Sequence, residues 1–281
     1  MTGDLHCHSL CSDGGLSVAD IVPYAKRIGL GYLAITDHDT LAGVEPARAL
    51  GEELGVRVIP GVEISTRDYQ RDRPVHMLCY FPRDTATLQS FLDQTLRSRA
   101  ATKRQMIAKI MARYPVTLEH IERYSRQSQS IYESHIMQAL ADLGYTNAAI
   151  GPLMEELISS HGSCYVPNRY PDVREAVRLI AAVGGIAVMA HPGQFDSTEL
   201  LEELAAAKLV QGVEANHPRN DPPTRAKISA IAGRYGLIRT GGSDFHGQYA
   251  KKPYPLGAFT CSDPAIADLI RLSQARPSAG R

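Results

Sequence analysis

An α/β fold with seven strands around one barrel, carrying an inserted all-helical subdomain, is what the sequence predicts. Strand-type and helix-type segments alternate over residues 1–83 and again over 166–281. Residues 84–165 between them show helical periodicity and no convincing strand. Metal-ligand side chains, His, Asp and Glu, recur just past the ends of the strands. Alternating strands and helices argue for a parallel sheet or barrel, and the loops of such a barrel converge at the carboxyl rim of its strands. The expected division is a barrel domain over 1–83 and 166–281 and a helical insertion domain over 84–165.

Taken in order, Asp4-Leu5-His6-Cys7-His8 reads as a strand. Side chains alternate on a strand, so His6 and His8 share a face within reach of one cation, and Cys7 faces away. A turn-rich loop, Ser12-Asp13-Gly14-Gly15, follows. Ser17 caps a helix with Asp20 in capping-box position, its apolar face carries Ile21, Tyr24, Ala25 and Ile28, and Gly29 ends it. Residues 32–36 form a buried strand with Asp37-His38-Asp39-Thr40 just beyond it. A helix over about 42–54 stops at Gly55, a third strand covers 56–59, and Gly61-Val62-Glu63 follows as its loop. The fourth strand is 75–81. His76 lies early in it, so a bulge or tilt would be needed to bring that side chain to the rim.

The helical stretch is predicted at 88–112, 117–125, 132–143 and 147–160. Its first helix carries Arg97, Arg99, Lys103, Arg104, Lys109 and Arg113. Such a run is either a solvated face or a guide for a phosphate or short oligonucleotide. Strand–helix alternation then resumes: helix 172–183, strand 186–190 with His191 at its end, helix 197–206, strand 209–215 ending at Asn216-His217-Pro218, helix 222–235, and strand 237–240 leading into Gly241-Gly242-Ser243-Asp244-Phe245-His246. A last helix covers about 264–273, and the tail 276–281 is expected to fray.

Composition narrows the function. Lys+Arg and Asp+Glu both number 30, so no global charge points to nucleic acid or a membrane surface. The chain has no Trp and only five Phe, which leaves no stacking platform for long nucleic acid. Five scattered cysteines without CxxC spacing read as reduced thiols of a cytoplasmic protein. With no charged-then-apolar leader and no apolar run of about 18 residues, neither export nor membrane spanning is expected.

The motifs Asp4-Leu5-His6-Cys7-His8 with Ser12-Asp13-Gly14, Ile35-Thr36-Asp37-His38-Asp39, Pro60-Gly61-Val62-Glu63, Val75-His76, Ala190-His191-Pro192 and Gly242-Ser243-Asp244-Phe245-His246 occur in one order across nearly the whole chain. In this the sequence resembles the PHP (polymerase and histidinol phosphatase) phosphoesterases. It is most similar to the subgroup with a helical insertion, which includes 3′,5′-nucleotide bisphosphate phosphatases and RNA-trimming exonucleases. The resemblance implies a distorted (β/α)7 barrel and a trinuclear site. His6, His8, Glu63 and Asp244 would hold one ion; Glu63 would bridge to a second held by His76 and His191; Asp13, His38 and His246 would hold the third. Imidazole and carboxylate donors suit two to three divalent ions of Mn, Fe or Zn. Clustered cations neutralise phosphate oxygens and acidify an attacking water.

Beyond the ligands, Ser12 is a candidate for substrate phosphate. His135 aligns with a histidine that the family turns towards substrate, and His217 is a candidate for phosphate contact or for protonating the leaving oxygen. Asp37 and Asp39 either orient His38 or are turn residues. Three positions depart from the family pattern: Glu133 and Gln194 stand where relatives often carry Arg, and Asn220 where they often carry His. The expected activity is hydrolysis of a phosphomonoester of a small, nucleotide-like substrate such as a 3′,5′-nucleotide bisphosphate, by metal-activated hydroxide. The alternatives are a 5′-to-3′ exoribonuclease on short RNA, a histidinol-phosphate-type phosphatase, or a catalytically idle metal-binding module. The expected partner is a small phosphorylated molecule, nucleotide or short oligonucleotide, with no membrane and no long nucleic acid.

Overall fold

The structure, a computed structural model, describes residues 2–249 and 252–275; the tail 276–281 lies outside the described residues. It is a mixed α/β fold. The first sheet orders β1 (Gly3–Cys7), β2 (Tyr32–Ile35) and β3 (Arg57–Val58), all parallel. The second orders β4 (Gly61–Asp68), β5 (Arg73–Tyr80), β6 (Ile186–Met189), β7 (Gly212–Asn216) and β8 (Ile238–Gly241). Single bridges join the two sheets at both edges: His38 pairs with Glu63, and Cys7 pairs with Phe245.

The described residues thus hold eight strands, one more than predicted. The missed strand is β4, expected as the loop around Glu63, while the third predicted strand shrinks to Arg57–Val58. The chain here is a hairpin. β4 pairs antiparallel with β5, and β5 pairs antiparallel with β6. This reversal also corrects the expected bulge at His76: because β5 runs against β6, its early residues lie beside the late end of β6. Ala190 accordingly donates its N–H to the His76 carbonyl at 3.1 Å.

Strand alternation sorts the two faces of the hairpin. Val62, Ile64, Val75, Met77 and Cys79 join the core packed under α7 (Val173–Ala182), α8 (Thr198–Ala206) and α9 (Pro222–Tyr235). Leu78 and Tyr80 turn to the other face, where they pack with Leu5, Val188 and Leu269. Glu63 and His76 share that inner face because they too alternate with the core residues. Leu78 is fully buried, and its truncation to Ala would cost about 2–5 kcal/mol.

The remaining helices fall close to prediction: α1 (Val18–Arg27), α2 (Val44–Leu54) and α10 (Asp263–Ala275). Ser17 and Asp20 form the predicted capping box. The helical stretch comprises α3 (Thr85–Met111), α4 (Leu118–Ser125), α5 (Glu133–Asp142) and α6 (Pro152–Leu157). It has its own apolar cluster, including Met106, Ile110, Ile121, Ile136 and Leu140. Its first helix is not a uniformly solvated face. Arg97, Arg104, Lys109 and Arg113 are exposed, but Arg99 and Lys103 turn inward and are buried.

Candidate metal centre

Glu63 is the hub. It is buried on β4, and five imidazoles surround its two oxygens. His76 Nδ1 and His191 Nε2 lie 2.9 and 2.8 Å from Oε1. His6 Nε2, His8 Nε2 and His38 Nδ1 lie 3.1, 3.2 and 3.2 Å from Oε2. The residues come from strand ends whose loops are held by backbone bonds. His8 donates its N–H to the Phe245 carbonyl, and Asp39 donates its N–H to Glu63. Gly242 is required where β8 passes β1, since a Cβ there would sit 2.4 Å from His6 Cβ. Asp39, His191 and Asp244 all adopt positive φ, a backbone cost of order 1–3 kcal/mol each that is characteristic of functional sites.

The other predicted ligands complete the cluster. His6, His8, Glu63 and Asp244 offer donor atoms within 4.8 Å of one another. So do His8, Asp13, His38 and His246, and so do His38, Glu63 and His76. All nine sequence candidates therefore converge.

The donor set fits divalent cations. Donors about 2.1 Å from one ion and at right angles to each other lie about 3 Å apart, which matches the spacing around Glu63. Within the described residues, no Lys or Arg pairs with Asp13, Glu63 or Asp244, although buried carboxylates demand compensation. His6 Nε2, both His8 nitrogens, His38 Nδ1 and Asp13 Oδ1 are buried without hydrogen-bond partners. Burial alone would raise the Glu63 carboxyl, but the imidazoles, His6 foremost, hold it well below the usual range. Conversely, burial would lower His8, but Asp244 and Glu63 push it up to about 10. The shifts are not uniform: burial, with neighbouring imidazoles adding to it, holds His38 and His191 below the usual imidazole range, so these rings are neutral and able to offer a lone pair to a cation.

One member was missed by the sequence reading. Glu214, buried on β7, accepts from His6 Nδ1 at 3.0 Å and from the His191 backbone N–H at 3.0 Å. A carboxylate behind a ligating imidazole fixes its tautomer and raises its basicity. The available signal was a lone charged residue inside the strand Gly212-Val213-Glu214-Ala215.

Several candidates for substrate contact move. Ser12 is fully buried, and its hydroxyl donates to Asp37 Oδ1 at 2.6 Å, so it shapes the loop and does not line the pocket. Asp37 also accepts from Ser9, both N–H and hydroxyl, and Asp39 accepts from Ser65 N–H and pairs with Arg99. Neither aspartate orients the His38 ring; Tyr132 instead donates its hydroxyl to the His38 carbonyl at 3.0 Å.

His135 and His217 are both buried and neither lines the pocket. His135 turns back to cap its own helix, accepting Tyr132 N–H on Nδ1 at 3.2 Å, which leaves the proton of the neutral ring on Nε2. Burial lowers it to about 4, so it is no acid at neutral pH. His217 Nδ1 accepts from Arg219 N–H, while Nε2 lies 3.6 Å from Asp244 and 3.8 Å from Glu214, beneath the cluster. Asn220, where a histidine was expected, clamps two rim loops by accepting from Gly193 and donating to the Glu214 carbonyl.

Over the cluster opens a pocket of about 210 Å³. Its walls beyond the ligands include Glu133, Ser134, Gln194, Arg219, Lys252 and Tyr254.

Comparison with known proteins agrees with this geometry. The family model of the PHP domain matches residues 4–185. The phosphoribosyl 1,2-cyclic phosphate 1,2-diphosphodiesterase of Eggerthella lenta is 39% identical over 90% of this chain and 97% of its own length. The 5′-3′ exoribonuclease Rnm of Escherichia coli is 32% identical over 86% of this chain and 84% of its own. Among solved structures, a protein of Bifidobacterium adolescentis assigned as a metal-dependent phosphoesterase superposes with a TM-score of 0.89 at 29% identity, over 96% of each chain.

Proposed function

The chain belongs to the PHP family and is a phosphoesterase, and on that premise we propose that it hydrolyses a phosphate ester of a small, ribose-bearing substrate. The pocket carries this reading: about 210 Å³ over the ligand cluster is below the usual range of roughly 300–1,000 Å³ for drug-sized ligands. That volume suits one phosphorylated sugar or nucleotide at a time. The chemistry named for the Eggerthella relative, a cyclic phosphate on phosphoribose, supports a ribose substrate. A 3′,5′-nucleotide bisphosphate remains in the same size class.

The nine residues His6, His8, Asp13, His38, Glu63, His76, His191, Asp244 and His246 would hold two or three divalent ions, with Mn, Fe and Zn the metals their N and O donors suit. Such ions supply positive charge at phosphate oxygens and the acidity that makes water nucleophilic at neutral pH. The chain's own residues organise that chemistry. Glu63 holds five imidazoles on the pocket floor, Glu214 fixes the His6 ring, and His217 backs Asp244. Arg219 and Lys252 in the wall offer cations to a phosphate that is not attacked. We read the two sheets joined by single bridges as the distorted (β/α)7 barrel, residues 84–165 as an insertion, and the five cysteines, scattered in sequence without CxxC spacing, as belonging to a cytoplasmic protein. Among the described residues no helix is long and apolar enough to cross a membrane.

A phosphate-release panel under Mn²⁺, with the products of ester cleavage followed by chromatography beside released phosphate, tests the reading, comparing phosphoribosyl cyclic phosphate, nucleotide bisphosphates, mononucleotides, histidinol phosphate and short 5′-phosphorylated RNA. A small ribose ester should lead RNA by about tenfold or more in kcat/KM. RNA as the best substrate would overturn it.

A further inference from the structure

Opposite in charge to Arg219 and Lys252, Glu133 lines the same pocket. It stands in the first turn of α5 with its side chain one-third exposed, and Lys103 of α3 lies directly behind it, 4% exposed. The Lys103 ammonium touches Glu133 Oε1 and, at 3.6 Å, the Met106 sulfur. An ammonium this deep requires a carboxylate partner. Glu133 is therefore fixed in place and ionised, despite burial that would raise it, by the Lys103 charge.

A fixed carboxylate is an odd wall for a phosphate pocket. Beside a second phosphate it would meet like charge at close range. It is, however, acceptor-only, and one oxygen bonded to Lys103 leaves lone pairs free toward the pocket. The groups that satisfy it are hydroxyls, and a single free hydroxyl of a furanose, which a phosphorylated or cyclic-phosphate ribose still carries, can donate to it. We propose that Glu133, held by Lys103, determines specificity by accepting hydrogen bonds from free hydroxyls of the substrate's sugar. The inference rests on the reading of this site as a phosphatase for small ribose esters. It adds which end of the substrate faces α5 and what that end must carry.

The test uses the fastest ester from the phosphate-release panel and its deoxy counterpart. For the wild type, kcat/KM should fall about tenfold or more when the hydroxyls are removed, because a site built to bond a hydroxyl penalises its absence. Glu133→Gln strands Lys103, so the double variant Lys103→Met/Glu133→Gln is measured beside it to keep the wall neutral. In the double variant the ratio between hydroxylated and deoxy substrates should collapse to within about twofold, mainly through KM of the hydroxylated one. Two results overturn the inference alone: a wild type indifferent to the hydroxyls, or a folded double variant that keeps the full preference. A best substrate without a sugar, such as histidinol phosphate, would overturn the functional reading and this inference together. No turnover of any ester would overturn the functional reading first and this inference with it.

Discussion

The floor and the walls of the pocket were built by different means. The floor consists of side chains on the strands, His6, Glu63 and His76, and of others in the loops just past strand ends, whose backbones are pinned to their neighbours. The walls come largely from α5, α6 and the loops after β6, β7 and β8, and α3 packs behind them, with Lys103 against Glu133. Floor residues are chosen by what a cation requires. The walls carry charge of both signs, Glu133 with Lys103 behind it on one side and Arg219 and Lys252 elsewhere. Chemistry and specificity are thus separable here, and substitutions should separate them.

The largest effect belongs to the floor. Glu63→Gln keeps the shape of the side chain but removes the charge that five imidazoles share. Activity on the best small ester should fall by about 10³-fold or more, with metal content reduced and the circular dichroism spectrum preserved. Activity within tenfold of wild type would show that Glu63 is not the hub.

Next comes the joint between floor and wall. Arg99 reaches from α3 to the buried Asp39 beside His38, and its guanidinium lies over the Tyr132 ring at 4.5 Å. Arg99→Met leaves Asp39 buried and unpaired, at about 3–5 kcal/mol in a urea titration. Adding Asp39→Asn should recover most of the loss; a single variant as stable as the parent would place Arg99 outside the joint.

Glu214→Gln should act more mildly. It keeps a hydrogen-bond acceptor for His6 but loses the charge behind the ring, so metal affinity should drop about 10–100-fold. Equilibrium dialysis against Mn²⁺ reads this directly, and unaltered affinity would make Glu214 a packing residue. The smallest effect is expected on the outer face of α3. Replacing the exposed Arg97 and Arg104 by Ala should leave stability within about 0.5 kcal/mol and kcat/KM on the small ester within about twofold. A selective loss on short RNA would revive the guide for an oligonucleotide.

The floor was legible in the sequence and the walls were not, for a physical reason. Ligands to a cation must be His, Asp or Glu at strand ends, so His6, His38, His191 and Asp244 stand out by residue type and place. Glu214 escaped because it lies inside a strand, where a charged residue has meaning only once its partner across the fold is known. β4 escaped because Gly61-Val62-Glu63 reads as a loop until its pairing with β5 is seen. The same reversal explains why His76 looked misplaced in its strand. Ser12, His135 and His217 were credible contacts by type, yet each hydroxyl or ring is turned to a nearby backbone or carboxylate group. Whether a polar side chain faces the pocket or its own loop depends on local hydrogen bonding that one-dimensional spacing does not carry.

The central claim is that nine donors make one multinuclear centre. The direct measurement is the metal content of apo-protein refilled with Mn²⁺, for wild type and His246→Ala, by mass spectrometry of the digested protein. The account predicts two or three ions per chain, and about one fewer when His246 is removed from the group it forms with His8, Asp13 and His38. At most one ion in the wild type, or an unchanged count in the variant, would contradict it.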